Sequence, residues 1–262
     1  MKLAILTPNR LQSNLLINNL VKNGFQLELV IYYAPKNRRR LKEELVYWVK
    51  EIIKQTLLFN ATAQRIKRIK RNQLKQATRS LMDWAKEKHI GESLYRPAIQ
   101  TENVNSQFVI DELKQHNIDV LLIWGIPVLK PKVIQVVNSL IINAHSSILP
   151  EYRGTSAEFW QFVNNDFQHA GITFHQVNSK IDEGNILLQV AADKDDCSTP
   201  EMLRMMNAKR VIKNMPVLLA KLLQPVFESI PQSNLASPKT KTFKSKDVTL
   251  TELKKVYLSN RR

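Results

Sequence analysis

Asn143, His145 and Asp182 are the residues of this sequence whose types best suit chemistry at a carbonyl carbon. Asn143 and His145 end an apolar stretch, and Asp182 opens an Asp-Glu-Gly turn further along the chain. The Asn143 amide can donate hydrogen bonds to an oxygen that becomes negative in a tetrahedral intermediate. The His145 imidazole can bind that oxygen or pass a proton to the leaving nitrogen. The Asp182 carboxylate can orient the imidazole or take the proton that an attacking amine sheds. Together, these three groups predict acyl transfer to an amine.

The elements around these residues are expected to bring them together. Residues 139–145 have the composition of a buried parallel strand, in which side chains two apart share a face, so Asn143 and His145 project together where the strand ends. Ligands of open α/β sheets bind at the carboxyl ends of strands. Gly184 lets the backbone turn Asp182 inward. The alternative is that His145 is a hydrogen-bonded structural residue and that Asp182 belongs to an ordinary turn.

The order of motifs in this region resembles the formyltransferase family that uses 10-formyltetrahydrofolate. That family includes glycinamide ribonucleotide, methionyl-tRNA and sugar N-formyltransferases. The Asn-x-His motif that begins at Asn143 is followed by Ser-x-Leu-Pro and Arg-Gly within residues 147–154. A Gly-x-Thr-x-His strand comes next, in residues 171–175, and then Asp-x-Gly in residues 182–184. Such an ordered set of motifs is specific.

The resemblance runs over residues 118–189, with a weaker match over residues 1–33, and it implies roles for individual residues. Asn143, His145 and Asp182 fall on the catalytic Asn, His and Asp of the family, and 10-formyltetrahydrofolate is the implied co-substrate. The pterin of the folate is implied to lie between two loops. The first consists of Trp124, Gly125, Ile126, Pro127, Val128 and Leu129, and the second extends from Val177 to Ile181.

Two departures from the family pattern concern the loops that would meet the substrate. Ser146 stands where family members commonly have Pro after the His, and residues 7–14 replace the Gly-rich phosphate loop of glycinamide ribonucleotide formyltransferase. The second departure argues against the same phosphate-bearing substrate. Arg10 and Arg153 are candidates to bind an anionic substrate group. Arg153 follows the catalytic strand, where it can bind a phosphate or carboxylate bidentately or, alternatively, pin the loop through carbonyl groups.

The hydrophobic pattern predicts an α/β fold that opens with a β-α-β unit. With the resemblance, the expected architecture is a Rossmann-like, mostly parallel sheet of the formyltransferase type, with a basic helical insertion and a C-terminal helical extension. Residues 198–201, Ser-Thr-Pro-Glu, are a strong helix start with a hydroxyl cap, a proline and an early acid. Predicted strands cover residues 2–6, 26–33, 96–100, 119–124, 140–144, 170–177 and 186–191, and predicted helices cover 13–22, 106–115, 155–164, 200–223 and 250–258.

The chain is expected to contain a catalytic domain and a short extension. Residues 1–225 are assigned to the catalytic domain and residues 226–262 to the extension. Residues 36–90 form an insertion, which is rich in Lys and Arg and is expected to contain two or three helices. Methionyl-tRNA formyltransferase carries an additional C-terminal barrel domain that helps to hold tRNA, and the remaining chain is too short for it.

The formal net charge of +16 is concentrated in the insertion and in the C-terminal tail. A basic surface attracts polyanions or raises the association rate of anionic substrates. The alternative is a solvated helical face of a protein from a Lys-rich proteome, since charge alone does not select a partner. Nucleic-acid binding is possible but not favoured, because aromatic residues alternate poorly with the basic ones.

Several other classes of site and location are not expected. One cysteine, Cys197, excludes an internal disulfide, and His116, His169 and His175 lack the spacing of a metal site, so no metal is predicted. His175 can nevertheless line the folate cleft. A nicotinamide cofactor is not expected, because no G-x-G-x-x-G follows the first strand. Without an apolar stretch long enough for a signal peptide or a membrane span, a soluble cytoplasmic protein is expected.

The leading hypothesis is an N-formyltransferase that moves a formyl group from 10-formyltetrahydrofolate to a primary amine. The preferred acceptor is an amino sugar on an anionic nucleotide. The tRNA branch of the family is less favoured because its C-terminal barrel domain is not expected, and the glycinamide ribonucleotide branch because residues 7–14 lack its Gly-rich phosphate loop. The alternatives are a formyltetrahydrofolate hydrolase with water as nucleophile, a methionyl-tRNA formyltransferase-like enzyme, and a basic binding protein on an inactive scaffold. The sequence leaves the amine and the oligomeric state open.

Overall fold

In this computed structural model, residues 1–35, 61–91, 98–235 and 240–259 are described. The strands are β1 (Leu3–Pro8), β2 (Leu27–Tyr33), β3 (Ala98–Thr101), β4 (Val120–Ile123), β5 (Leu140–His145), β6 (Tyr152–Gly154), β7 (Gly171–Gln176), β8 (Ile186–Ala191) and β9 (Lys241–Phe243). The helices are α1 (Leu11–Lys22), α2 (Ala61–Glu87), α3 (Gln107–Gln115), α4 (Pro131–Ile134), α5 (Ala157–Asn164), α6 (Pro200–Leu222) and α7 (Leu250–Tyr257). Short 3₁₀ turns occupy Lys194–Ser198, Gln232–Asn234 and Ser245–Asp247.

Seven strands form one sheet in the order β3-β2-β1-β4-β5-β7-β8. The first five of these strands run parallel, and β7 and β8 are antiparallel to their neighbours. The chain moves outward from β1 to β3 and then returns to β4 on the other side of β1. The carboxyl ends of β1 and β4 therefore lie at a topological switch point, where ligands of open α/β sheets bind.

Both faces of the sheet are buried, because apolar side chains of the central strands point alternately to its two sides. In β1, Leu3 and Ile5 pack into one core with α1, α2 and α6, whereas Ala4 and Leu6 pack into the opposite core with α3. Side chains of a strand point alternately to its two faces, so an uninterrupted apolar strand requires cover on both sides. The predicted α/β class and the mostly parallel sheet are confirmed.

Helix α2 lies within the predicted insertion. Ala77, Leu81 and Ala85 recur at a helical spacing and are buried in the core that α6 also contributes to. The cations of the same helix are exposed on its other side. Helix α2 is therefore one of the two or three helices predicted for this insertion. Residues 36–60 of the insertion lie outside the described residues.

The C-terminal segment packs onto the body through a third cluster. Strand β9 pairs with β6, and the Phe243 ring lies between Tyr152 and Trp160, at centroid distances of 5.4 and 4.8 Å. In α7, Tyr257 stacks on Phe159 at 6.4 Å. The helix predicted over residues 250–258 corresponds to α7, whereas the pairing of β9 with β6 was not predicted. The boundary between residues 225 and 226 stays a prediction.

Helix starts agree closely with the sequence. The Thr199 hydroxyl accepts a hydrogen bond from the Met202 amide at 3.0 Å and caps α6, as its Ser-Thr-Pro-Glu start predicts. The Ser106 hydroxyl caps α3 in the same way. The predicted strand over residues 96–100 corresponds to β3, although residues 96 and 97 lie outside the described residues. Among the helices described, none combines the length and apolar character needed to cross a membrane.

Removing the Leu81 side chain should destabilise the protein if α2 is part of the folded body. Leu81 is fully buried, so Leu81→Ala is expected to lower the free energy of unfolding by about 2–5 kcal/mol. The matched control is Lys75→Ala on the exposed side of the same helix, which should change it by less than about 0.5 kcal/mol. Urea unfolding monitored by far-UV circular dichroism measures both. Equal stabilities of the two variants would contradict the packing of α2 against α6.

Candidate functional site

A cleft of about 830 Å³ opens at the carboxyl ends of the central strands. Pro8 lines it at the end of β1 and Arg10 after that strand, Trp124 lines it after β4, and Asn143 and His145 line it at the end of β5. These positions surround the switch point between β1 and β4. The cleft is therefore located where the topology of the sheet predicts a ligand.

Asn143 is held by a histidine on the neighbouring strand. In the antiparallel pairing of β5 with β7, Asn143 lies directly opposite His175. The Asn143 Nδ2 atom is 3.0 Å from His175 Nε2 and 3.4 Å from Asp182 Oδ1. The carbonyl of Gln176, 2.7 Å from His175 Nδ1, can only accept, so Nδ1 carries a proton, while Nε2 faces both the Asn143 amide and Asp182 Oδ1, which lies 3.5 Å away. His175 thus fixes the orientation of the Asn143 amide.

His145 is buried between a carbonyl and a carboxylate. Its Nε2 atom lies 2.6 Å from the carbonyl oxygen of Tyr152, which can only accept, so Nε2 carries a proton. Its Nδ1 atom lies 3.6 Å from Asp182 Oδ2. In the neutral ring Nδ1 therefore has a free lone pair and can take up a proton. The resulting imidazolium would be stabilised by Tyr152 on one side and by Asp182 on the other.

Asp182 reaches this point through an unusual backbone conformation. Its φ is 52°, in the left-handed region that Asp and Asn tolerate better than other residues. Its Oδ2 atom accepts a hydrogen bond from the Gly154 amide at 2.8 Å. Gly184 was expected to provide this turn, and that expectation is wrong, since the positive φ lies at Asp182 itself. Gly184 is required because a Cβ there would collide with the Gln176 carbonyl.

The protonation states follow from burial and from the neighbouring groups. Burial lowers the pKa of His145, and the nearby Asp182 carboxylate opposes this effect only in part. Burial acts to raise the pKa of Asp182, but His145, His175 and the Gly154 amide outweigh it and bring the pKa well below its usual range. At neutral pH the site therefore holds a neutral His145 beside an ionised Asp182.

Both predicted folate loops line the cleft, together with the three predicted catalytic residues. Two apolar side chains remain open to solvent in these walls, with Val128 58% and Ile181 44% exposed. Exposed apolar groups beside backbone polar groups suit a flat heteroaromatic ring. The loop residues that line the cleft are Trp124, Gly125, Ile126, Pro127, Val128, Leu129, Val177, Asn178, Lys180 and Ile181.

The two candidate arginines occupy different environments. Arg10 is exposed and lines the cleft just before α1. The Arg153 guanidinium instead lies 3.0 Å from Glu183 Oε1 and donates to Gln232 Oε1 at 3.0 Å, and Arg153 is not among the residues that line the cleft. Its position contradicts the expectation that it binds a substrate phosphate. It matches the alternative, in which Arg153 pins the loop, although through side chains rather than carbonyl groups.

Sequence reasoning missed several residues of the site. His175 was considered only as a possible wall of the cleft, and its contact with Asn143 depends on the antiparallel register of β7. Glu158 and Glu201 also line the cleft, and they look in the sequence like ordinary acids in the first turns of α5 and α6. Among the described residues, no group of three or more His, Cys, Asp or Glu side chains could hold a metal ion.

Most of the chain is similar to one family of known proteins. The model of the formyl transferase family matches residues 1–213. The chain is 26% identical over 154 residues to a methionyl-tRNA formyltransferase of Lachnospira eligens, covering 57% of this chain and 49% of that protein. The chain spans about half or less of the length of the curated relatives it matches first.

Solved structures share the fold. A sugar N-formyltransferase from a Shewanella species superposes with a TM-score of 0.61 at 14% identity, over 98% of this chain and 87% of that one. An N-formyltransferase from Helicobacter canadensis, in complex with folinic acid and dTDP-3-aminofucose, gives a TM-score of 0.54 at 17% identity, over 95% of this chain and 72% of that one.

The lowered pKa of His145 predicts how stability depends on pH. A histidine in the unfolded chain titrates near pH 6.5, so the unfolded state binds more protons than the folded state as the pH falls below this value. The free energy of unfolding should therefore decrease on acidification. Asp182, whose folded pKa is also lowered, contributes stability above about pH 4 and loses it only as the pH falls through its folded pKa.

The test compares the wild type with His145→Asn by urea unfolding between pH 7.5 and pH 5. We expect the stability of the wild type relative to the variant to decrease steadily over this interval, because only the wild type must bury a neutral imidazole. A relative stability that stays constant would show that Asp182 fully offsets the effect of burial on the His145 pKa, and one that increases on acidification would show that Asp182 outweighs it.

Proposed function

This chain belongs to the formyl transferase family, and we propose that it moves a formyl group from 10-formyltetrahydrofolate to a primary amine. The observation that carries the proposal is the meeting of Asn143, His145 and Asp182 at the switch point of the sheet, beside a cleft with apolar walls. An amide donor, a neutral imidazole and an ionised carboxylate are the groups that such a transfer requires.

The chemistry follows from the atoms that face the cleft. The neutral amine attacks the formyl carbon, a carbon–nitrogen bond forms, and the carbonyl electron pair moves onto oxygen. One Asn143 amide hydrogen, turned from its present partner, stabilises this oxyanion. His145 Nδ1 takes the proton that the amine sheds, and Asp182 stabilises the imidazolium. The proton then passes to the folate nitrogen as its bond to the formyl carbon breaks.

For the acceptor we propose an amino sugar carried on an anionic nucleotide. Four cationic side chains line the cleft, namely Arg10, Lys70, Lys180 and Arg204, and they suit the phosphates of such a carrier. The Helicobacter canadensis protein is complexed with a ligand of this class, dTDP-3-aminofucose, together with folinic acid. This pair of ligands supplies the first compounds to test.

A second candidate acceptor is a charged tRNA. The curated relatives include methionyl-tRNA formyltransferases, and α2 exposes Arg65, Lys67, Arg68, Lys70, Arg71, Lys75 and Arg79. A stripe of cations on one helix can neutralise several phosphates, and the binding would weaken steeply with salt. The same helix contributes Lys70 to the cleft, which connects this surface to the reaction centre.

An acceptor panel tests the proposal directly. The protein is incubated with 10-formyltetrahydrofolate and each of several nucleotide-linked amino sugars, and product mass is followed by mass spectrometry. We expect a gain of one formyl group on at least one sugar. Formylation of methionyl-tRNA alone would favour the second candidate. Folate-dependent release of formate with no acceptor formylated would replace the transferase by a hydrolase.

Loss of the imidazole should reduce turnover without removing the folate site. His145→Ala is expected to lower kcat by a factor of about a hundred or more, since general acid–base contributions are typically 10²–10⁴-fold. The matched control is His116→Ala, outside the cleft, which should retain activity. Turnover within tenfold of the wild type in His145→Ala would contradict the role of this residue.

The stable analogue 5-formyltetrahydrofolate should bind in the cleft and quench the fluorescence of Trp124. Calorimetry is expected to show one site in the wild type and an unchanged affinity in His145→Ala. The Val128→Asp substitution replaces an exposed apolar side chain of the cleft wall by a charged one. It should weaken binding, because it places an uncompensated carboxylate against the pterin ring. Absence of binding at millimolar ligand would favour a binding protein on an inactive scaffold.

A further inference from the structure

The cleft is also lined by a second group of polar residues, which helices contribute rather than the folate loops. Helix α5 contributes Glu158, α6 contributes Glu201 and Arg204, α2 contributes Lys70 and α7 contributes Tyr257. The side chains of both glutamates are buried, since Glu158 is 7% and Glu201 2% exposed. Buried carboxyl groups are uncommon unless they are paired, so these two residues require an explanation.

Glu158 is connected to the reaction centre through Ser146. Ser146 follows His145 directly in the chain, and its hydroxyl lies close enough to the Glu158 carboxyl to oppose the effect of burial on the pKa of that group. Ser146 therefore connects Glu158 to the end of the strand that carries His145.

Glu201 has one oxygen with a partner and one without. Its Oε1 atom accepts a hydrogen bond from the Tyr257 hydroxyl at 2.8 Å. Its Oε2 atom is buried and has no hydrogen-bond partner among the described residues. A buried carboxylate oxygen in this condition destabilises the folded protein until a donor binds it. Glu201, a residue of the cleft wall, thus carries a buried acceptor that lacks its donor.

The acidic and basic side chains of this group differ in their exposure to solvent. The two carboxyl groups are buried, whereas Arg204 and Lys70 are exposed. The Lys70 ammonium lies 6.0 Å from the centre of the Tyr257 ring, so it stands near the same residue that binds Glu201. A ligand with hydrogen-bond donors at one end and an anion at the other would complement this arrangement.

We propose that Glu158, Glu201 and Tyr257 form an acceptor subsite that receives the amine-bearing sugar, while Arg204 and Lys70 hold its anionic carrier. This inference rests on the proposed transfer to a nucleotide-linked amine. It assigns substrate selection to a part of the chain beyond the matched family region, which ends at residue 213, because Tyr257 comes from α7.

The protonation behaviour of the subsite is consistent with hydrogen-bond recognition. Burial raises the pKa of Glu158, with partial opposition from its own backbone amide, from Arg204 and from Ser146, so a cation placed beside this carboxyl would favour its ionised form. Burial and the neighbouring Glu201 raise the pKa of Tyr257, so its hydroxyl remains a donor to Glu201.

Binding of three ligands distinguishes recognition of the amine from recognition of the anionic carrier. Calorimetry measures the affinities for dTDP-3-aminofucose, for the same sugar nucleotide with a hydroxyl in place of the amine, and for dTDP alone. The wild type should bind the amine at least about tenfold more tightly than the hydroxyl analogue, as expected for a charge-assisted hydrogen bond. Glu201→Gln should reduce this preference to within about twofold and leave the affinity for dTDP unchanged.

Matched variants control for charge and for folding. Arg204→Gln should weaken all three ligands by the same factor and keep the preference for the amine. Glu28→Gln, outside the cleft, should change neither the three affinities nor the preference for the amine. If Glu201→Gln fails to fold, as judged by circular dichroism and by binding of 5-formyltetrahydrofolate, Glu158→Gln carries the same expectation.

The possible failures are distinguishable. Retention of the full amine preference in both glutamate variants would overturn the subsite while leaving the proposed transfer intact, provided that the wild type still formylates the sugar. Equal loss of dTDP affinity in Glu201→Gln and Arg204→Gln would also overturn it, since the carboxylates should not contact the carrier. A wild type that binds none of the three ligands would overturn both the subsite and the proposed acceptor.

Discussion

The buried carboxylate of Asp182 is the constraint on which the site depends. A buried charge is tolerated only when hydrogen-bond donors and opposite charges surround it. Asp182 meets this requirement with the Gly154 amide of β6, with the Asn143 side chain and the His145 ring of β5, and with the His175 ring of β7, which are three separate segments. None of these segments can shift without leaving the carboxylate short of a partner. The geometry of the candidate site is therefore a consequence of solvating one anion inside the protein.

The same requirement connects the C-terminal segment to the reaction centre. Gln232 donates through its Nε2 atom to the carbonyls of Asp182 and Gly184, and its Oε1 atom accepts from Arg153. Arg153 in turn pairs with Glu183. A residue from the segment after α6 thereby holds the turn that carries Asp182 in its left-handed conformation. The segment contributes to the site through these contacts as well as through the aromatic packing of Phe243.

Local patterns were sufficient to predict the parts of the site that depend on one element. The end of β5 and the two-residue spacing of Asn143 and His145 follow from strand periodicity, and the position of the cleft follows from the order of the strands. Contacts between distant segments could not be predicted in this way. Pairing of Asn143 with His175 depends on the register of β7, and the Glu201–Tyr257 hydrogen bond joins residues 56 positions apart.

The large positive charge and the buried carboxyl groups act at different stages of binding. Exposed cations on α2 raise the encounter rate of any anion, but they are solvated and screened, so they discriminate little between one phosphate-bearing ligand and another. Glu201 lies where water is excluded, and there an unmatched donor or acceptor has a large effect on affinity. Discrimination between acceptors should therefore reside in the few buried acids of this basic protein, because only they respond to the presence of an amine.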